Sequence, residues 1–446
     1  MRNHRNSRLS GKRRPTEHAL DDMRSRGQNA LRAGPITIDD IAPPCGVTMY
    51  LSKECNCARS RTRAFVRRVF VLGLPLLVVS VVAKGQDQTV QLLQLLSDAP
   101  GPPGFEEPVR KIMVERMTPL ADHLSYDGLG SVIATQGSNG PRVMIDAHMD
   151  ELGALVRRIT PDGFLTMQML GGWLDEALVD QRWIIIGSKG PVRATSGLRD
   201  AHLAPAEDRG RLINTRDAIF LDIGAKNADE ARQMGVQPGD PIIPDAPFTV
   251  LNGSQNYMGK AWDDRVGCAI ILDVMRRFAH SAHPNQIFYA ATVQEEIGLR
   301  GAHTAADVVK PEVGIALEAG VTRDVPGVKP EEAQEALGGG PGIFLFNTSQ
   351  LPNRKFVALV RQAAREKSIP LQDELIVIYG DDGAEIQKSN GGAPTITLVV
   401  PTRYTHGHNG VINRSDYDHT VELMVALIQK LDGATVKQLR DFSPVP

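Results

Sequence analysis

Arg142-Val143-Met144-Ile145-Asp146-Ala147-His148-Met149-Asp150-Glu151 is an apolar run that ends in acids and a histidine. Residues 142–146 predict a buried β-strand, because a short apolar run bounded by polar residues fits a strand covered on both faces. The same kind of run recurs at 287–293, 313–317 and 395–400. Between these runs, residues 264–279 and 353–367 space their apolar positions as a helix does and leave charged residues on the other face. Strands alternating with helices predict an α/β fold, with a mostly parallel sheet flanked by helices.

Residues 155–250 follow a different rhythm. Short strands are expected at 164–170, 182–188, 191–195 and 218–224, separated by Gly, Pro and Asp, with one short helix near 227–234. That pattern predicts a small β-barrel inserted into the α/β domain. The expected organisation is therefore a first catalytic part at 86–154, the barrel at 155–250 and a second catalytic part at 251–446.

The chain has 446 residues, 42% of them hydrophobic, which is enough for a substantial core. Its net charge of −2 hides a split. Residues 1–85 carry 16 basic and 6 acidic side chains; the rest carry 34 and 46. An acidic body argues against nucleic acid as a partner. Within the basic leader, residues 69–83 are apolar and uncharged, too short for an ordinary spanning helix and suited to a signal peptide. The basic residues before them and the small residues Ala83 and Gly85 after them fit cleavage before Gln86. Arg67-Arg68 also fits a twin-arginine export signal. Residues 1–48 read as a structureless leader or a misassigned start, and 49–85 as a signal peptide or an uncleaved membrane anchor. The expected location is periplasmic or secreted, with membrane anchoring as the alternative. Cys268 is the only cysteine after the leader, so one mature chain has no internal disulfide.

The chemistry resides in scattered acids and histidines that follow strands. His148 and Asp150 follow the first strand, Glu295-Glu296 end the second, Glu318 ends the third, and His406 lies just past the fourth. Asp263-Asp264 begin a helix. The carboxyl ends of parallel strands form the ligand crevice in such sheets. Each residue has a plainer reading: a lone His is often a hydrogen-bonded core residue, and either Asp could cap the helix. The number of carboxylates after apolar strands is harder to dismiss, because buried charge is costly unless it is compensated. Nitrogen and oxygen donors without thiolate suit Zn, Co or Mn. Two such cations sharing a carboxylate can polarise a carbonyl and activate a water, with a free glutamate as general base.

Four segments resemble the tetrahedral (TET), or glutamyl, aminopeptidase family of dinuclear metallopeptidases, which includes proteins once labelled endoglucanases. They are Asp146–Gly153, Gly259–Arg265, Thr292–Gly301 and Pro401–His406, in the family's order. The resemblance implies a zinc-exopeptidase-like fold in which Asp263 bridges two metals. His148 and Glu318 would bind one metal, and Glu296 and His406 the other. Glu295 would be the general base, and Asp150 would orient the His148 ring. It further implies that the barrel is a dimerisation domain, that dimers assemble into a dodecamer, and that short peptides are the substrates. The chain departs from the family pattern at three places. Glu318 stands where many members have Asp, Gly380-Asp381-Asp382-Gly383 where Gly-Thr-Asp-Ala is frequent, and Gly407-His408 where a small hydroxyl residue follows the histidine. The last departure makes His408 a candidate extra contact.

Two other readings compete. A glycoside hydrolase needs two carboxylates and no metal, which leaves the histidines idle. A non-catalytic peptide-binding relative would be expected to have lost a ligand or the base.

Overall fold

The computed structural model describes residues 87–203 and 216–443. The leader at 1–48, the signal or anchor segment at 49–85, and Cys45, Cys55 and Cys57 lie outside the described residues. Among those described, no helix is long and apolar enough to cross a membrane.

Four strands form the centre of an eleven-stranded sheet. Gln286–Thr292, Arg142–His148, Val313–Val321 and Thr395–Arg403 lie side by side in that order, all parallel. Their register sets Thr292 beside His148 and Glu318 beside Val399, so the acidic segments gather toward one end of the sheet. The third strand runs on through Glu318 to Val321 instead of ending before it.

The expectation of a mostly parallel sheet needs correcting. Over the whole sheet four strand pairings are parallel and six antiparallel, so it is mixed. Parallel strands need a long crossover, such as the one through Arg300–Val309 that carries the chain from Gln286–Thr292 past Arg142–His148 to Val313–Val321. Short connections return the chain antiparallel instead. His123–Tyr126 folds back into Val132–Gln136, and Thr395–Arg403 into Gly410–Asn413. In the first turn Asp127 accepts from the N–H groups of Leu129, Gly130 and Ser131.

Helix Trp262–Phe278 packs on Arg142–His148 and Val313–Val321 and buries Val266, Ile270, Ile271 and Met275 against them. Helix Arg354–Lys367 starts at Asn353, whose side chain accepts from the Phe356 N–H at 3.0 Å and so satisfies one free donor of the first turn.

The second unit of structure is a closed six-stranded barrel. Its strands follow each other around the ring as Gly153–Ile159, Leu165–Leu170, Phe220–Asp222, Gly190–Gly197, Arg182–Gly187 and Pro241–Pro244. Closure leaves no free strand edge. Trp183, Leu165, Leu221 and Ile242 form a core separate from that of the sheet. The barrel strands run from Gly153 to Pro244, where 155–250 was expected; Thr249–Val250 already pairs in the large sheet. The chain leaves the sheet just after His148 and re-enters it at Thr249–Val250, and the following strand Asn256–Gly259 leads to Asp263.

Candidate metal centre

His148 is the last residue of its strand and is almost fully buried. Its Nδ1 donates to the Asp150 main-chain carbonyl at 3.0 Å. A carbonyl accepts only, so this bond places a proton on Nδ1 and leaves Nε2 to carry the lone pair of the neutral ring. Nε2 lies 3.0 Å from Asp263 Oδ1 and 3.9 Å from both Glu295 Oε2 and Glu318 Oε2. His406 repeats the arrangement. Its Nδ1 donates to the Gly172 carbonyl at 2.8 Å, and its Nε2 faces Asp263 Oδ2 at 3.2 Å and Glu296 Oε2 at 4.0 Å.

Asp263 is therefore flanked by one imidazole on each carboxylate oxygen. Two groups of donor atoms, each within 4.8 Å of one another, share it: His148, Asp263 and Glu318, and Asp263, Glu296 and His406. The adjacent Asp264 does the capping, accepting from the Gly267 N–H at 2.9 Å. The two aspartates that sequence alone could not separate thus have different partners.

Asp150 holds the His148 ring through its main chain more closely than through its carboxylate. Its carboxylate Oδ1 lies 3.6 Å from His148 Nδ1, beyond hydrogen-bond range, and the ring is held by its main-chain oxygen. The carboxylate instead accepts from the main-chain N–H groups of Glu295 and Glu296 at 3.0 and 3.1 Å. One residue thereby holds the His148 ring and the loop that carries both glutamates. His408, the candidate extra contact, belongs to neither donor group and packs with Trp173 and Trp183 in a cluster of three rings.

The electrostatics of the centre fit divalent cations. Burial, reinforced by neighbouring carboxylates, raises Glu318 and Glu295 well above the ordinary carboxylate range and Glu296 to about 8, although the histidines oppose it. Burial lowers the affinity of each ring for a proton, yet the surrounding acids still raise His148 and hold His406 at about 10. Glu318 Oε1 and Glu296 Oε1 are buried with no hydrogen-bond partner among the described residues. Buried carboxylate oxygens in mutual repulsion, with imidazole lone pairs aimed between them, are a donor set that a cation stabilises.

Sequence reasoning missed several contributors. Tyr379 donates to the Ala319 carbonyl at 2.7 Å, which sets its hydroxyl 3.4 Å from Glu318 Oε2. Gly171 has φ +85°, and a Cβ there would meet Leu152 Cδ2 at 2.0 Å and Glu296 Oε2 at 2.9 Å. The Gly171-Gly172 pair after a strand was the available signal.

Behind the centre, Lys260 Nζ donates to both Glu151 oxygens at 2.8 and 2.7 Å and to the Ala99 carbonyl at 3.0 Å. Arg265, fully buried, donates to the carbonyls of Met149, Leu96 and Ala99. The pair ties the segment carrying His148 to the segment carrying Asp263. Lys260→Met leaves the Glu151 charge buried without its closest partner, and breaking such a pair costs about 3–5 kcal/mol. Urea unfolding should read that loss; a change under about 1 kcal/mol, the size of an exposed pair, would show that the network is not structural.

A family model described as M42 glutamyl aminopeptidase matches residues 130–423, and one described as AMPT matches residues 87–113. The chain is similar to the lysyl aminopeptidase of Pyrococcus furiosus, 33% identical over 357 residues that span 79% of this chain and 99% of that protein. The TET aminopeptidase of a marine-sediment Thaumarchaeota archaeon superposes with a TM-score of 0.77 at 38% identity, covering 79% of this chain and 99% of that one. The TET1 peptidase of Pyrococcus horikoshii, which can assemble into a tetrahedron or a large octahedral shell, gives 0.70 at 27%, covering 77% and 100%.

Proposed function

On the premise that the chain belongs to the M42 glutamyl aminopeptidase family, we propose that it removes amino-terminal residues from short peptides at a centre holding two divalent cations. The chain is an aminopeptidase. The observation that carries the two-metal reading is the sharing of Asp263 between two three-residue groups of nitrogen and oxygen donors. His148 and Glu318 would complete one site, and Glu296 and His406 the other. Zinc suits these donors, as do cobalt and manganese. When bound, such a pair polarises the scissile carbonyl and acidifies the attacking water.

The remaining work falls to the chain's own groups. Glu295 is a carboxylate beside the centre that neither donor group uses, and its Oε2 lies 3.9 Å from His148 Nε2. It takes the proton of the attacking water and delivers it to the departing amine. Asp150 holds the Glu295 main chain and so fixes the approach of that carboxylate. Leu152, Trp173, Pro244 and Trp262 line the hollow beside Asp263 and His406 and give it an apolar side.

Glycoside hydrolysis gives no task to the two imidazoles aimed at Asp263. A purely binding relative does not require an intact set of donors and base. Neither reading is favoured. Like the Pyrococcus horikoshii TET1 peptidase, which can assemble into a tetrahedron or a large octahedral shell, the chain would form a homo-oligomer, with the barrel as its dimer contact and a dodecamer as the assembly. Export through residues 69–83 is a separate proposal, and cell fractionation tests it: recovery of the full-length chain in the cytosol would count against it.

The test of activity uses a panel of aminoacyl p-nitroanilides. Turnover should vanish on chelation and return with Zn, Co or Mn. Turnover that survives complete metal removal would exclude the metal centre, while no turnover by folded, metal-loaded protein would exclude these substrates.

A further inference from the structure

His406 is the less supported of the two imidazoles. Its side chain is 36% exposed against 1% for His148, and its main chain has φ +61°, a conformation that L side chains adopt only under constraint. Something must hold the turn in which it sits. Tyr404, on the incoming side, is largely exposed, and Gly407 offers no side chain. Two residues beyond His406 the chain buries a histidine to 4% exposure. The His408 ring stands edge-on to Trp183, with centroids 4.3 Å apart at 82°, and tilted against Trp173 at 5.4 Å.

Both indoles belong to the barrel side. Trp183 is fully buried in the barrel core. Trp173 is fastened by its Nε1, which donates to the Gly153 and Leu170 carbonyls at 3.0 and 3.1 Å. Its neighbour in sequence is Gly172, whose carbonyl receives the His406 Nδ1 proton. A Cβ on Gly172 would stand 3.2 Å from that nitrogen, so the two segments are already in close approach. Residues 172 and 173 thus meet residues 406 and 408 in two adjacent contacts, one a hydrogen bond and one an aromatic contact. Neutral ring nitrogens buried against two indoles, with no hydrogen-bond partner among the described residues, are a poor choice for stability alone. The flat ring nonetheless packs on both indoles, which also touch each other at 5.5 Å.

We propose that His408 is a positioning residue: packed against both Trp173 and Trp183, it clamps the 404–410 turn onto the barrel so that the Gly172 carbonyl orients His406 and aims its Nε2 at the centre. The inserted barrel is then part of the metal site. This inference rests on the two-metal reading above. Loss of the clamp frees the His406 ring and weakens the ion held with Glu296. The ion held by His148 and Glu318 keeps its ligands.

Zinc titration of the full chain tests this, comparing wild type with His408→Ala and His408→Phe. Fewer than two ions per folded wild-type chain would remove the two-metal reading, and the clamp with it. Given two, H408A is expected to weaken one ion by about 10- to 100-fold, as loss of an outer support does, and to leave the other in place. H408F keeps the edge-on ring and should hold both ions as the wild type does. The kcat of H408A should recover as zinc is raised, with KM unchanged, which a general packing defect would not do. Two ions held by H408A with wild-type affinity overturn the proposal, as does H408F behaving like H408A. If H408A lacks folded near-ultraviolet circular dichroism, His408→Leu replaces it, filling volume without a flat ring. Wild-type affinity for both ions in H408L overturns the clamp equally.

Discussion

Asp263→Ala is expected to remove both metal ions together and with them essentially all peptidase activity. Asp263 is the one side chain common to both donor groups, with Oδ1 turned to His148 and Oδ2 to His406. His148→Ala or His406→Ala should instead weaken one ion. The cations are asked to supply several kcal/mol of charge stabilisation in the transition state. At about 1.4 kcal/mol per tenfold, that is a loss of about a thousandfold or more in kcat. Metal analysis alongside kinetics checks the claim. A D263A protein that keeps two ions, or loses only one, would show that Asp263 is not the bridge.

Glu295→Gln is expected to separate chemistry from metal binding. The amide has nearly the shape of the carboxylate but cannot take a proton from water. General acid–base catalysis contributes about 10²–10⁴-fold, and kcat should fall by that amount while two ions remain bound. Its main-chain bond to Asp150 is untouched by the substitution, so the neighbouring Glu296 should stay in place. Near-normal kcat in E295Q, or loss of an ion, would assign the proton transfer elsewhere.

The parts of this molecule legible in the sequence are those written in short, local patterns. The four central strands are apolar runs stopped by acids, and helix Trp262–Phe278 shows its period directly. His148, Asp263, Glu296, Glu318 and His406 were selected by where they fall relative to those strands and by their motifs. What stayed hidden depends on distant pairing. Strand His123–Tyr126 is half-exposed with no clean alternation, and it is a strand because Val132–Gln136 is beside it. The barrel closes through Pro241–Pro244 on Gly153–Ile159, two segments about 90 residues apart in sequence that carry little strand signature. The same holds within the centre. Asp150 supports the His148 ring, as expected, and its carboxylate also serves two main-chain N–H groups 145 and 146 residues away, which no local pattern announces. His408 is a candidate extra contact in the sequence because it follows His406, and the two tryptophans that bury it belong to the distant barrel.

The central claim is a pair of cations sharing Asp263, and stoichiometric metal titration of the chelated wild-type chain tests it most directly. The account predicts two zinc-class ions per chain and aminopeptidase activity that returns as the pair is filled. Full activity in folded protein with no ion bound, or saturation at a single ion with full activity, would contradict it.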